Sequence, residues 1–333
     1  MKTKYVIIGA GIGGLAAGAE LKRLGETDFV ILEKQDKVPM NFHNGLHYLH
    51  STDFNLPFEF TFKKNPITEE IWNTKTNTFS KCATLPEAIE YSKKIMESKR
   101  HVTSIMDPGK LKEVIVPEND DMNSLIQAYV EYIGLEHFQF GEEVQKIKQF
   151  PKEIFTKQNN IYEYEFIITT APLTSTYEVC GTTCPYELKN QPLYITNFEN
   201  RNIVKNWLIV LYMSDPKFPP HRITAMNGIL SMESMRELTQ EDDIIIKYLI
   251  GDLFDYCLES RTSYKWDTGR IFGLDTKQRE EIVSSFAAMD IYLLGRFARW
   301  EHRLRIDTTI LQAQEIIQQI YAISRTIPAG AIS

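Results

Sequence analysis

The chain opens with an uninterrupted apolar run, Tyr5 to Ile8, whose lack of alternation predicts a strand buried on both faces of a parallel sheet. A glycine-rich turn follows at once. Leu15, Ala16, Ala17, Ala19, Leu21 and Leu24 then have the composition of a helix, with Gly25 as its stop. Phe29 to Leu32 reads as a second strand closing on Glu33, which completes a strand, helix and strand unit. From about 52 to 111 the pattern changes, with Pro57, Pro66, Pro86 and many polar aromatics, and one helix is expected from Pro86 to Ser98. The opening pattern returns near Val114 to Val116. Leu125, Ile126, Tyr129, Val130 and Ile133 recur at helical spacing before Gly134, and Tyr164 to Pro172 reads as another buried strand. Strand-like runs such as Trp207 to Tyr212 predict a second, largely antiparallel sheet within about 176 to 265. The chain closes with a strand at Ile291 to Leu294, then Gly295-Arg296, then a helix from about Thr308 to Ser324 with Ile310, Ala313, Ile317 and Ile320 along one face.

Composition narrows the class without naming a chemistry. The 333 residues are 43% hydrophobic and 24% charged, as expected of a soluble globular protein with one large domain or two intertwined ones. No apolar stretch is long enough for a membrane helix, and Met1 to Lys4 leads into the first strand with no cleavage region, so no signal peptide and no membrane partner are expected. A net charge of -7 argues against general affinity for nucleic acid. Cys82, Cys180, Cys184 and Cys257 are too few and too scattered for a disulfide framework, which makes a reducing cytoplasm the default compartment.

Gly9-Ala10-Gly11-Ile12-Gly13-Gly14 fits G-x-G-x-x-G between a strand and a helix. The first glycine permits the tight turn, the second lets the backbone approach a pyrophosphate, and the third lets helix and strand pack closely. The helix N-terminus stabilises the phosphate charge. Glu33 stands where a carboxylate accepts hydrogen bonds from an adenosine ribose. The alternative is a glycine turn without a ligand. The fingerprint serves nicotinamide and flavin cofactors alike, and the end of the chain points to flavin. Asp307 or Thr308 is expected to cap the last helix, whose N-terminus would favour the negative charge of a reduced flavin.

These residues together resemble the amine-oxidase and protoporphyrinogen-oxidase superfamily of FAD enzymes, and in motifs most of all UDP-galactopyranose mutase. Gly45-Leu46-His47-Tyr48-Leu49-His50-Ser51 is similar to that family's G-x-H-x-F-H-T segment beside the flavin. Gly295-Arg296-Phe297-Ala298-Arg299-Trp300 is similar to its G-R-x-x-x-Y segment, and Pro220-His221-Arg222-Ile223 to its Y-T-R-I segment, whose arginine lies in the active site. The resemblance implies FAD held by Gly9, Gly11, Gly13, Gly14, Glu33, Lys34, Val144, Thr170, Gly295, Arg296, Asp307 and Thr308, with His47, Arg222 and Trp300 as catalytic side chains. The substrate half departs from the family. The Y-R-S-x-x-F and P-Y-Y-P segments are missing, Gly269-Arg270-Ile271-Phe272 stands about where the latter belongs, and Trp300 replaces a tyrosine.

The resulting expectation is an α/β fold: a Rossmann-like FAD-binding domain, with a parallel sheet flanked by helices, and an inserted α+β substrate domain with a mainly antiparallel sheet. The first is placed at residues 1–51, 112–175 and 270–333, the second at 52–111 and 176–269. His43, His47 and His50 lie close in sequence, but Pro39, Asn44 and Gly45 oppose a helix there, and no metal is expected. Arg296, Arg299, Arg303 and Arg305 suggest an anionic partner, with a surface salt-bridge lattice as the plainer reading. Tyr264, Trp266 and Trp300 are candidates for a pocket wall or for core. The function expected is an FAD-dependent oxidoreductase-type enzyme on a small polar substrate, an amine or an anionic nucleotide derivative. A mutase-like redox-neutral enzyme on a nucleotide sugar is the alternative, and a lyase acting on amino-acid-modified thymidine in viral DNA ranks lower. A flavoprotein fold kept as a binding module is the non-enzymatic reading. The oligomeric state stays open.

Overall fold

The computed structural model describes residues 1–40, 42, 46–73, 76, 78–81, 84–96, 112–200, 207–251 and 254–326. Strand β1 (Tyr5–Ile8), helix α1 (Ile12–Arg23) and strand β2 (Phe29–Glu33) form the expected opening unit. A five-stranded parallel sheet grows from it in the order Ile291–Leu293, Phe166–Thr169, β1, β2, Phe138–Phe140. The apolar runs are continuous because both faces are covered. Tyr5, Ile7 and Ile31 pack under α1, helix Met122–Ile133 and the terminal helix Ile306–Thr326, while Val6, Val30 and Ile167 face helix Thr276–Ala287 and a three-stranded antiparallel sheet that begins at Val144. Asp121 caps helix Met122–Ile133 by accepting from the Asn123 N–H, and Gly134 ends it at φ 89°.

The second sheet has eight strands, most of them from residues 52–111 and 176–269. Phe62–Asn73 pairs in parallel with Leu208–Tyr212, and every other pairing in this sheet is antiparallel. Strand Glu113–Pro117, where the opening pattern was expected to return, pairs antiparallel with Phe62–Asn73 instead of entering the parallel sheet. The expected helix at Pro86 spans Leu85–Met96, and its predicted end at Ser98 lies outside the described residues. A hairpin joins Pro220–Met226 to Ile229–Ser234 through Asn227 at φ 50° and Gly228 at φ 82°. Both turn residues have positive φ, the geometry that Asn-Gly supplies in a two-residue hairpin. Its register sets Arg222 opposite Glu233.

The glycine turn packs tightly against the first strand. A β-carbon at Gly14 would lie 1.9 Å from the Gly9 carbonyl oxygen, so α1 and β1 approach as closely as backbone allows. Gly14→Ala should therefore destabilise the chain by roughly 3 kcal/mol, the upper range for overpacking. Denaturant unfolding checks this, and an unchanged midpoint would mean that the contact is looser than described.

Candidate active site

A cavity of about 550 Å³ lies between the parallel sheet and the large antiparallel sheet. Its nucleotide side is made by Gly11, Ile12 and Gly13 at the start of α1, with Thr170 after strand Phe166–Thr169 and Gly295 with Thr309 at the chain end. The opposite wall carries Arg222, Glu233, Trp266 and Arg270 from the antiparallel sheet. His47 and Leu46 border it.

The nucleotide side has the chemistry of an anion site. Gly11 offers α1 no side-chain cap, and the first turn carries no acid, so the helix N-terminus keeps its positive end for a ligand. A β-carbon on Gly11 would meet nothing within 4 Å, which leaves the backbone open to close approach. Gly9 turns at φ 98°, and a β-carbon there would strike Thr170 Oγ1 at 2.3 Å. Glu33 is buried at the tip of β2, with Oε2 accepting from Ala10 N at 2.8 Å and Oε1 from Gln35 N at 3.0 Å. The acid thus braces the glycine turn, a role its sequence position did not show, and its remaining lone pairs can still accept from a ribose.

The opposite wall is a chain of cations and imidazoles. Arg222 Nε donates to Glu233 Oε1 at 3.0 Å, and Nη2 donates to the same oxygen. His221 is fully buried, with Nε2 at 3.5 Å from Glu233 Oε2 and 2.6 Å from Arg270 Nη2. Arg270 Nη1 contacts His302 Nε2 at 3.2 Å, and Arg296 Nη2 lies 2.6 Å from His302 Nδ1. Burial opposes ionisation of Glu233, yet Arg222 and His221 hold its carboxyl well below the ordinary range. Burial, helped by Arg270, drives His221 down to about 3. Burial also lowers Arg270, and it brings Arg296 down to about 10 with Arg270 adding to the effect. His47, its ring parallel to Trp266 at 6.1 Å, is lowered to about 4 by burial, with Arg222 and Arg296 acting in the same direction. Its Nε2 is buried without a hydrogen-bond partner.

Of the residues expected here, Gly11, Gly13, His47, Thr170, Arg222, Gly295 and Arg296 line the cavity. Gly9, Gly14 and Glu33 do not form the lining but hold the glycine turn that does. Lys34 is exposed, and Val144 packs half-buried against the second core, so neither forms the lining. Asp307 and Thr308 do not precede the terminal helix but lie in its first turn. Asp307 accepts from the backbone of His50 and Ser51 at 3.0 and 3.1 Å, fastening that loop to the helix, while Thr308 Oγ1 accepts from Arg305 N at 2.8 Å. Trp300 corrects the sequence reading. It is 2% exposed, its indole N–H donates to the Phe272 carbonyl at 2.8 Å, and it belongs to the core because the chain turns there at φ 50°. Trp266 lines the cavity and Tyr264 does not; Arg305 lines it and Arg299 and Arg303 do not. His43 lies outside the described residues.

The sequence reading missed Glu233 and the parts played by His221, Arg270 and His302. Counting back from the Asn227-Gly228 turn pairs Arg222 with Glu233, so that signal was present. Arg270 and His302 meet only through the packing of distant elements.

A model of the NAD(P)-binding Rossmann-like domain matches residues 7–72, which marks the N-terminal segment as a dinucleotide-binding type. A comparison with curated proteins found no match. Among solved structures, reduced UDP-galactopyranose mutase aligns over 97% of this chain and 94% of its own, with 14% identity and a TM-score of 0.71. A CLA-producing fatty acid isomerase from P. acnes aligns over 96% and 99%, with 11% identity and a TM-score of 0.63. A putrescine oxidase redesigned in cofactor binding aligns over 97% and 99%, with 10% identity and a TM-score of 0.62. The chain shares the fold of these proteins, with a Rossmann-like parallel sheet and a separate, mainly antiparallel sheet. No helix among the described residues is long and apolar enough to cross a membrane.

The histidine shifts have a sign that can be tested. A base whose folded pKa is depressed contributes stability above its unfolded pKa and loses it as pH falls towards the folded one. For His47 the window runs from the ordinary value of 6.5 down to about 4. Unfolding free energy should fall through this window, and less steeply in His47→Gln. Denaturant titrations across that pH range measure both slopes, and equal slopes would contradict a His47 that stays neutral in the folded chain.

Proposed function

We propose that the chain is an FAD-dependent enzyme of oxidoreductase type whose substrate is a small anion. The observation that carries this reading is one cavity joining an open glycine turn to a partly buried arginine wall. Gly11 to Gly13 and the N-terminus of α1 would hold the FAD pyrophosphate, and Glu33 the ribose. Gly295 and the start of the terminal helix would face the flavin. Bound there, FAD supplies electron-transfer chemistry that the side chains do not. The chain binds, orients and sets charge.

The wall supports one of the two substrate kinds expected from sequence. Arg222, Arg270 and Arg296 repel an ammonium group and attract an oxyanion, which favours the anionic class over an amine. Arg222 is held rigid by Glu233 and so keeps its orientation towards the cavity. His47 is neutral near pH 7, and its Nε2 can make a hydrogen bond to a cofactor or substrate without adding charge. The likeness to the mutase, over nearly the whole length of both chains, favours a second reading: redox-neutral chemistry on an anionic substrate in the same cavity.

Gly11→Ala separates cofactor binding from folding. Its methyl group meets no protein atom, so the melting temperature should match that of the parent. FAD affinity should fall roughly tenfold, the equivalent of about 1.4 kcal/mol of crowding against the ligand. Fluorescence titration with FAD reads this. Equal affinity in the two proteins would remove the pyrophosphate from the glycine turn.

A further inference from the structure

We propose that Arg270 and Arg296 form a subsite for one compact dianionic group, chemically a phosphomonoester, on the substrate of this cavity. The inference rests on the reading of the cavity as a substrate chamber and adds the charge and shape of what it takes. Four arginines line the cavity: Arg222, Arg270, Arg296 and Arg305. Arg222 is paired with Glu233, the one carboxylate among the described lining residues. Arg305 is paired with Asp307 at 3.2 Å. Two cations are left.

Neither of these two has a carboxylate partner in the described structure. Arg270 is 9% exposed, and its terminal nitrogens contact His221 and His302. Arg296 contacts His302 and donates to the Gly269 carbonyl at 3.3 Å. The Nε atoms of both arginines are buried without a hydrogen-bond partner. A neutral imidazole offers one acceptor nitrogen, so His302 satisfies only one of the two guanidinium groups that face its ring. Two cations that meet at one imidazole repel each other, and with His221 and the Gly269 carbonyl as their other partners they leave N–H groups unpaired, a costly arrangement unless an anion completes it. A monoanion neutralises half the excess. A single group with two negative charges and several acceptor oxygens neutralises all of it and accepts from both guanidiniums at once.

The competing source of such an anion is the cofactor's own pyrophosphate. Calorimetric titration of the FAD-loaded protein at about pH 8, where inorganic phosphate is a dianion, distinguishes the two. Phosphate should bind at least tenfold more tightly than acetate at matched ionic strength. Arg270→Met, and separately Arg296→Met, should weaken phosphate at least tenfold, and Arg270→Met should leave FAD affinity unchanged. Arg270→Lys keeps the charge but cannot reach both imidazoles, so phosphate should bind it more weakly than the parent. If the methionine variants do not fold, the preference of the unsubstituted chain for phosphate over acetate decides alone. Equal binding of the two ions, or none, overturns the subsite. Phosphate that binds the flavin-free protein and is displaced by FAD assigns the arginines to the cofactor and also overturns it. If the protein takes up no FAD, the functional reading fails separately, and an Arg270-dependent preference for phosphate over acetate in the flavin-free chain still supports the subsite.

Discussion

The close approach of α1 to β1, with no room for a side chain at Gly14, governs where the site can form. It brings the helix N-terminus to the carboxyl edge of the parallel sheet, the region where ligands bind in open α/β folds. Glu33 then ties the turn to β2 through the Ala10 N–H, so the open backbone at Gly11 is held in place before any ligand arrives. The terminal helix packs on α1, and Gly13 allows Thr309 and Leu294 to close in from the end of the chain. Residues separated by nearly the full sequence therefore share one surface.

Electrostatics divides the cavity into two kinds of positive site. The nucleotide side relies on backbone dipoles, which stay positive at any pH and suit a pyrophosphate that must lie close. The opposite wall relies on guanidinium groups, which resist deprotonation even when buried. Between Arg270 and Arg296 the link is one imidazole, that of His302, instead of a carboxylate, and that leaves the wall with positive charge to spare. Acidic residues in the same places would have made a neutral, closed network.

Much of the nucleotide side was legible because its requirements are local. A buried strand, a glycine turn, a helix and an acid succeed one another within one stretch of chain, and the structure reproduces them almost residue for residue. The parallel sheet and the mainly antiparallel second sheet were also readable from apolar patterning. The arginine wall was readable only in part. Arg222 and Arg296 stood in segments that carried a resemblance, whereas Arg270 stood where a familiar segment was missing. Its role depends on strand Tyr256–Phe272 crossing to meet the loop at His302, and no periodicity encodes that meeting. Trp300 shows the opposite error: a matched segment put it in the site, and a left-handed backbone turned it into the core.

One cavity is proposed to hold both a dinucleotide and an anionic substrate. A crystal structure of the protein grown with FAD tests it most directly. Density is expected for the pyrophosphate over Gly11 to Gly13 and for the flavin between Gly295 and His47, with the guanidinium groups of Arg270 and Arg296 left facing open cavity. A pyrophosphate lying instead against Arg270 and Arg296, or a glycine turn without density, would contradict it.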